Sequence, residues 1–133
     1  MKKLVCIGGG EIPRYKAGIL LPYETKEIDQ EIVKLYNKEH PRFLFISIAS
    51  SHPEEYFEGI KKVYEELGCT VSHLDISKTF SELEHDILNT DIIYVGGGNT
   101  KYLVDKLKST RIDKLLIKAY NSGIVCSGLS AGS

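Results

Sequence analysis

Two hydrophobic periods alternate along this chain. Runs of consecutive apolar residues have the length of buried strands: Lys3–Gly8, Arg42–Ser47, Thr70–Leu74, Asp91–Val95 and Ile124-Val125-Cys126. Between them the apolar positions recur at helical spacing. Glu24–Glu39 carries Ile28, Ile32, Leu35 and Tyr36, with Glu27, Glu31, Lys34 and Lys38 among them, so one face is apolar and the other solvated. A second helix is predicted from Pro53, which suits a first helical turn, with Ser51 or His52 near its cap. It would bury Tyr56, Phe57, Ile60, Val63, Tyr64 and Leu67 and close at Gly68. A short helix is expected over Ser81–Leu88, with Ser81 and Glu84 in capping-box register. Leu103, Val104 and Leu107, then Ile112, Leu115, Leu116 and Ala119, carry the helical period on to Gly123. Pro13 and Pro22 mark a loop after the first strand.

Strands linked by amphipathic helices imply a mainly parallel sheet with both faces covered. Right-handed crossovers then give an α/β fold built as a three-layer α/β/α sandwich. In such a sheet the strand C-termini share one edge, where ligands bind. That edge should gather residues 8–11, 50–52, 75–77 and 96–99 together with Ser130.

Composition narrows the function classes. The 133 residues fit one domain over positions 1–133, and 42% apolar with 26% charged content is ordinary for a globular protein. A net charge of −1, with lysines interleaved among glutamates, offers no basic field for nucleic acid or an anionic membrane. No apolar run approaches a membrane span, and the N-terminus has the lysines of a signal peptide without its apolar region. Three cysteines, Cys6, Cys69 and Cys126, are too few and odd in number for a disulfide framework, so a cytoplasmic location is expected.

The chemistry concentrates near the end of the chain. Gly128-Leu129-Ser130-Ala131-Gly132 follows an apolar strand and reads as a nucleophile elbow, in which glycines permit a sharp turn and the Ser130 hydroxyl projects from the sheet edge. The bland alternative is a helix-capping serine in a glycine-rich turn. Tyr94-Val95-Gly96-Gly97-Gly98-Asn99-Thr100 places three glycines at a strand end, where exposed amides could hold an oxyanion or a substrate carboxylate, with Asn99 or Thr100 capping the next helix. A simple strand-to-helix turn is the alternative there. No Gly-Lys-Ser/Thr follows, which excludes a Walker A loop. Gly8-Gly9-Gly10-Glu11 invites a dinucleotide reading, but that pattern needs glycine where Pro13 stands. Glu11 could meet a substrate amine at the functional edge. No cofactor or metal is called for.

A serine nucleophile needs a base within hydrogen-bond reach. Of the four histidines, His40 falls at the opposite edge, His73 inside a strand and His85 on a surface helix, leaving His52 at the expected edge. The simpler expectation is that the base lies beyond Ser133.

With the elbow, the triple-glycine turn and the strand order together, the chain resembles the peptidase E family, which includes dipeptidase E and cyanophycinase relatives. The matching pieces are Gly8-Gly9-Gly10 after the first strand, Ile93 to Thr100, and Gly128 to Gly132. The resemblance implies a flavodoxin-like, class I glutamine amidotransferase-like fold and a serine-type peptidase acting on small peptides or isopeptides. It implies Ser130 as nucleophile and an oxyanion hole from the amides of Ala131 and of a glycine such as Gly97 or Gly98. Substrate contacts are expected from Glu11, His52 and Asn99. Family members place a histidine and an acidic partner after the serine, so the chain is expected to be the N-terminal part of a hydrolytic domain and inactive alone. A C-terminal segment or a homodimer partner is then expected to cover the sheet beyond the elbow. The competing function is a non-catalytic module holding a small ligand at the same edge; an inert fragment is a third.

Overall fold

The computed structural model describes residues 3–7, 14–16, 19–21 and 40–129. The helix expected over Glu24–Glu39, the Gly8-Gly9-Gly10 turn, Glu11 and the Ser130-Ala131-Gly132 part of the elbow lie outside the described residues. The chain begins with β1 (Lys3–Ile7), followed by β2 (Arg14–Lys16) and β3 (Ile19–Leu21). Four further strands follow: β4 (Arg42–Ile46), β5 (Thr70–His73), β6 (Ile92–Val95) and β7 (Val125–Leu129). Among the described residues the helices are α1 (Pro53–Glu66), α2 (Phe80–Leu88), α3 (Thr100–Thr110) and α4 (Ile112–Asn121).

Five strands form one sheet in the order β1-β7-β6-β4-β5, and every neighbouring pair within it is parallel. Side chains alternate across it, as the strand period requires. Phe43 and Phe45 of β4 and Ile92 and Tyr94 of β6 face α1, packing with Ile60, Val63 and Tyr64. Leu44, Ile46, Ile93 and Val95 face the other way, onto Leu83 and Ile87 of α2, Leu103 of α3 and Ile112, Leu115 and Ala119 of α4. The result is the expected three-layer α/β/α sandwich. Its two cores differ in kind: the α1 side is aromatic, with Phe43 stacked on Tyr64 at 4.0 Å, and the opposite side is largely aliphatic. Each fully buried large apolar side chain contributes about 1.5–3 kcal/mol.

Three local expectations change. The stretch after the first strand, read as loop, contains the antiparallel pair β2–β3, with Lys16 opposite Ile19. The capping box lies two residues earlier than Ser81 and Glu84. The Thr79 hydroxyl accepts from the Glu82 N–H (3.3 Å), and the Glu82 carboxylate accepts from the Thr79 N–H (3.1 Å). This earlier start lets Phe80 pack on the aliphatic core beneath the Arg111 guanidinium, 4.3 Å above its ring, and frees Glu84 to pair with Lys118 at 3.4 Å. Finally, β7 runs on through Ser127 and Gly128, because β1 and β6 flank it and supply a parallel ladder on both sides. The buried Ser127 hydroxyl is satisfied by donating to the Ile93 carbonyl at 3.0 Å.

Candidate active site

The strand registers bring the C-terminal ends together. Val95 lies opposite Gly128, Ile46 opposite Val95, and Phe45 opposite His73. The turn after β6 therefore starts beside Leu129, the last residue of β7 and the neighbour of Ser130 in the chain. Ser130 and Ala131 lie outside the described residues, as does Glu11, so their side chains are not placed.

The turn after β6 is anchored to the end of β4 and to the loop that follows it. The Gly96 N–H donates to the Ile46 carbonyl (2.8 Å) and the Asn99 N–H to the Ala49 carbonyl (3.0 Å). Close approach explains two of the glycines. A Cβ on Gly96 would lie 2.8 Å from the Tyr56 ring and 2.9 Å from the Phe45 ring. One on Gly98 would drive into the Ala49 carbonyl, and Gly98 also holds φ at +148°, where side chains are rarely tolerated. The Gly97 N–H donates to the Tyr56 hydroxyl at 3.3 Å. Asn99 acts as an N-cap: its side-chain oxygen accepts from the Tyr102 N–H at 2.9 Å, the helix-start role open to it from the sequence.

His52 also sits at this edge, exposed at the N-cap position of α1, with its N–H donating to the Ser50 hydroxyl at 3.0 Å. It is not the only histidine here. His73 is the last residue of β5, and its Nε2 shares a 2.5 Å hydrogen bond with the Ser47 hydroxyl just past β4. Its ring stacks on Phe57 (4.5 Å between centroids, 14° between planes). Burial lowers its pKa below the usual histidine value, while the Glu54 and Asp75 carboxylates pull it back up. Both carboxylates, with Ser47, Ser51, His73 and Tyr102, line a cavity of about 810 Å³. The sequence held the alternation that puts Phe45 and His73 on one face but not the β4–β5 register that pairs Ser47 with His73.

This Ser–His pair is poorly suited to nucleophilic attack. Ser47 is only 9% exposed, whereas a nucleophile has to project toward its substrate. Nor does His73 fit as a base for Ser130, since β5 and β7 are three strand spacings apart, about 14 Å. The Cys69 and Cys126 thiols are both pushed up to about 11 by burial, which leaves them protonated and unreactive. Among the described residues no group of three or more His, Cys, Asp and Glu side chains is placed to hold a metal ion, and no helix is long and apolar enough to cross a membrane.

Comparison with known proteins decides the family. The profile of peptidase family S51 matches residues 19–133. The chain belongs to peptidase family S51. Across its whole length it is 33% identical to the uncharacterized peptidase YgaJ of Bacillus subtilis, covering 55% of that relative. Over 106 residues it is 29% identical to peptidase E of a Nostoc species, covering 78% of this chain and 43% of the relative. The chain thus spans about half the length of these curated relatives. A solved structure assigned to peptidase E from Listeria monocytogenes superposes over 99% of this chain and 60% of its own, with a TM-score of 0.75 at 30% identity. A peptidase from an acI-B1 Actinobacterium gives the same TM-score at 25% identity, over 99% of this chain and 55% of its own. Both support the sandwich described above.

Proposed function

We propose that the S51 protein carrying this chain is a serine-type peptidase acting on small peptides or isopeptides, with Ser130 as nucleophile. The observation that carries this reading is the β6–β7 register: Val95 opposite Gly128 sets the glycine turn beside the strand end that leads into Ser130. In that arrangement the Ser130 hydroxyl attacks the scissile carbonyl, and backbone amides of the 96–98 turn and of Ala131 hold the tetrahedral oxyanion. Glu11, His52 and Asn99 are proposed at the substrate-binding edge; the Asn99 side-chain oxygen caps α3 while the residue lines the cavity there. Cytoplasmic residence is proposed from the cysteine usage.

His73 is engaged by Ser47, and His40 lies at the opposite end of the sheet, where its Nδ1 meets the Gly68 carbonyl at 3.2 Å. His85 sits in the last turn of α2 and His52 is assigned to the substrate edge, so a polypeptide of residues 1–133 alone is expected to be inactive. The test is hydrolysis of short peptides by the full-length protein and its Ser130→Ala variant. The variant should lose a factor on the order of 10⁴ or more in kcat/KM. Undiminished hydrolysis by Ser130→Ala would end the proposal, and the reading as a non-catalytic ligand-binding module would take its place if neither protein turns over peptide.

A further inference from the structure

Tyr56 stands in the first turn of α1, with its N–H donating to the His52 carbonyl at 3.1 Å. Pro53 at the start of the helix leads the chain into that turn. The Tyr56 ring packs edge-on against Phe45, 4.8 Å between centroids. From there it reaches across the sheet edge to the turn after β6. Its ring carbon occupies the space a Gly96 Cβ would need, and its hydroxyl accepts the Gly97 N–H at 3.3 Å. One aromatic side chain thus touches two consecutive residues of the turn. The third, Gly98, lies against Ala49, whose carbonyl accepts from the next residue, Asn99, at 3.0 Å, and among the described residues the Gly98 N–H has no acceptor.

From this geometry we infer that Tyr56 is a positioning residue for the oxyanion hole. Its hydroxyl fixes the Gly97 peptide so that the next amide, that of Gly98, is the one presented to the oxyanion. The Gly97 N–H is spent on Tyr56 and belongs to the scaffold rather than to the hole. This inference rests on the peptidase reading above and narrows its oxyanion donors within the turn from Gly97 and Gly98 to Gly98. The chemistry favours such a device. Preorganised donors are effective because they need no reorientation as charge develops, and a glycine-rich turn without a brace would have to be ordered at each turnover.

Tyr56→Phe tests it in the full-length protein, because it keeps the ring against Phe45 and Gly96 and removes the hydroxyl that accepts the Gly97 N–H. The expected result is a kcat lower by about ten-fold, less than the 10²–10³-fold that follows loss of an oxyanion donor itself, with KM little changed. Faster hydrogen exchange of the Gly97 amide should accompany it. Tyr56→Leu, which also removes the ring, should lower kcat further. A Tyr56→Phe enzyme with unchanged kcat, or with a raised KM alone, overturns the inference while Ser130→Ala remains inactive and the peptidase reading stands. Unchanged Gly97 exchange overturns it as well. If Ser130→Ala hydrolyses peptides normally, the peptidase reading fails, and the role of Tyr56 with it.

Discussion

The two ends of the sheet are built on different principles. At the N-terminal end, polar groups are spent on one another. Asp91 is nearly buried and accepts from the Arg42 N–H (2.8 Å) and from its guanidinium at 3.3 Å through both Nε and Nη2. Thr90 donates its hydroxyl to the Arg42 carbonyl at 2.9 Å, and the Asp91 N–H donates to the same carbonyl at 2.9 Å. At the C-terminal end, the strands run out into a glycine turn, a serine-rich loop and an open cavity. Polar groups there are braced from one side and face solvent on the other. The two ends belong to the same strands, so the contrast is not one of fold. A parallel sheet carries its helix N-termini and connecting loops on one edge, and that edge is free to hold chemistry while the opposite edge holds the strands in register.

If this division holds, substitutions at the first end should cost stability and spare activity. Asp91→Ala removes the acceptor for the Arg42 N–H and the partner of its guanidinium. A fully buried pair broken in this way loses about 3–5 kcal/mol, but the Arg42 side chain is 55% exposed and can be rehydrated. The expected loss is about 2 kcal/mol in the unfolding free energy, with kcat/KM per folded molecule unchanged, checked by denaturant titration alongside peptide hydrolysis. A folded Asp91→Ala protein with markedly lower kcat would show that the two ends are coupled.

A smaller effect should appear at the other end, as a pH dependence. Burial sets the folded-state pKa of His73 below the 6.5 of the free side chain. The unfolded chain therefore takes up the proton first as pH falls. Stability from the neutral, Ser47-bonded ring is present above pH 6.5 and is lost progressively below it, toward the lowered folded-state value. Glu54 and Asp75 soften this loss by favouring the charged form. His73→Gln keeps a hydrogen-bonding partner for Ser47 without a titrating ring and should flatten that part of the stability profile. Identical profiles for the two proteins between pH 7 and pH 5 would mean that His73 does not contribute.

The elements of the sheet were legible because parallel strands buried on both faces read as unbroken apolar runs, as in Phe43-Leu44-Phe45-Ile46 and Ile92-Ile93-Tyr94-Val95. The helices among the described residues were legible because each buries one face. What escaped depended on partners far apart in sequence. Ser47 and His73 are 26 residues apart, and Tyr56 and Gly97 are 41 apart. Neither pairing is visible until the β5-β4-β6 order is known. Asn99 illustrates the converse: its reading as a helix cap was available locally, and capping is what its side chain does. The end of β7 was misjudged for a physical reason too. Ser127 and Gly128 lack the apolar signature of a buried strand, yet the sheet accommodates them because both neighbours supply backbone partners.

The central claim is that Ser130 is the nucleophile and that Ser47, though bonded to a histidine, is structural. Treating the full-length protein with a fluorophosphonate and mapping the adduct by peptide mass spectrometry tests this directly. The account predicts one adduct, on the peptide containing Ser130, and none on the peptide containing Ser47. An adduct on Ser47, or an unmodified Ser130 in a protein that is hydrolysing peptides, would contradict it.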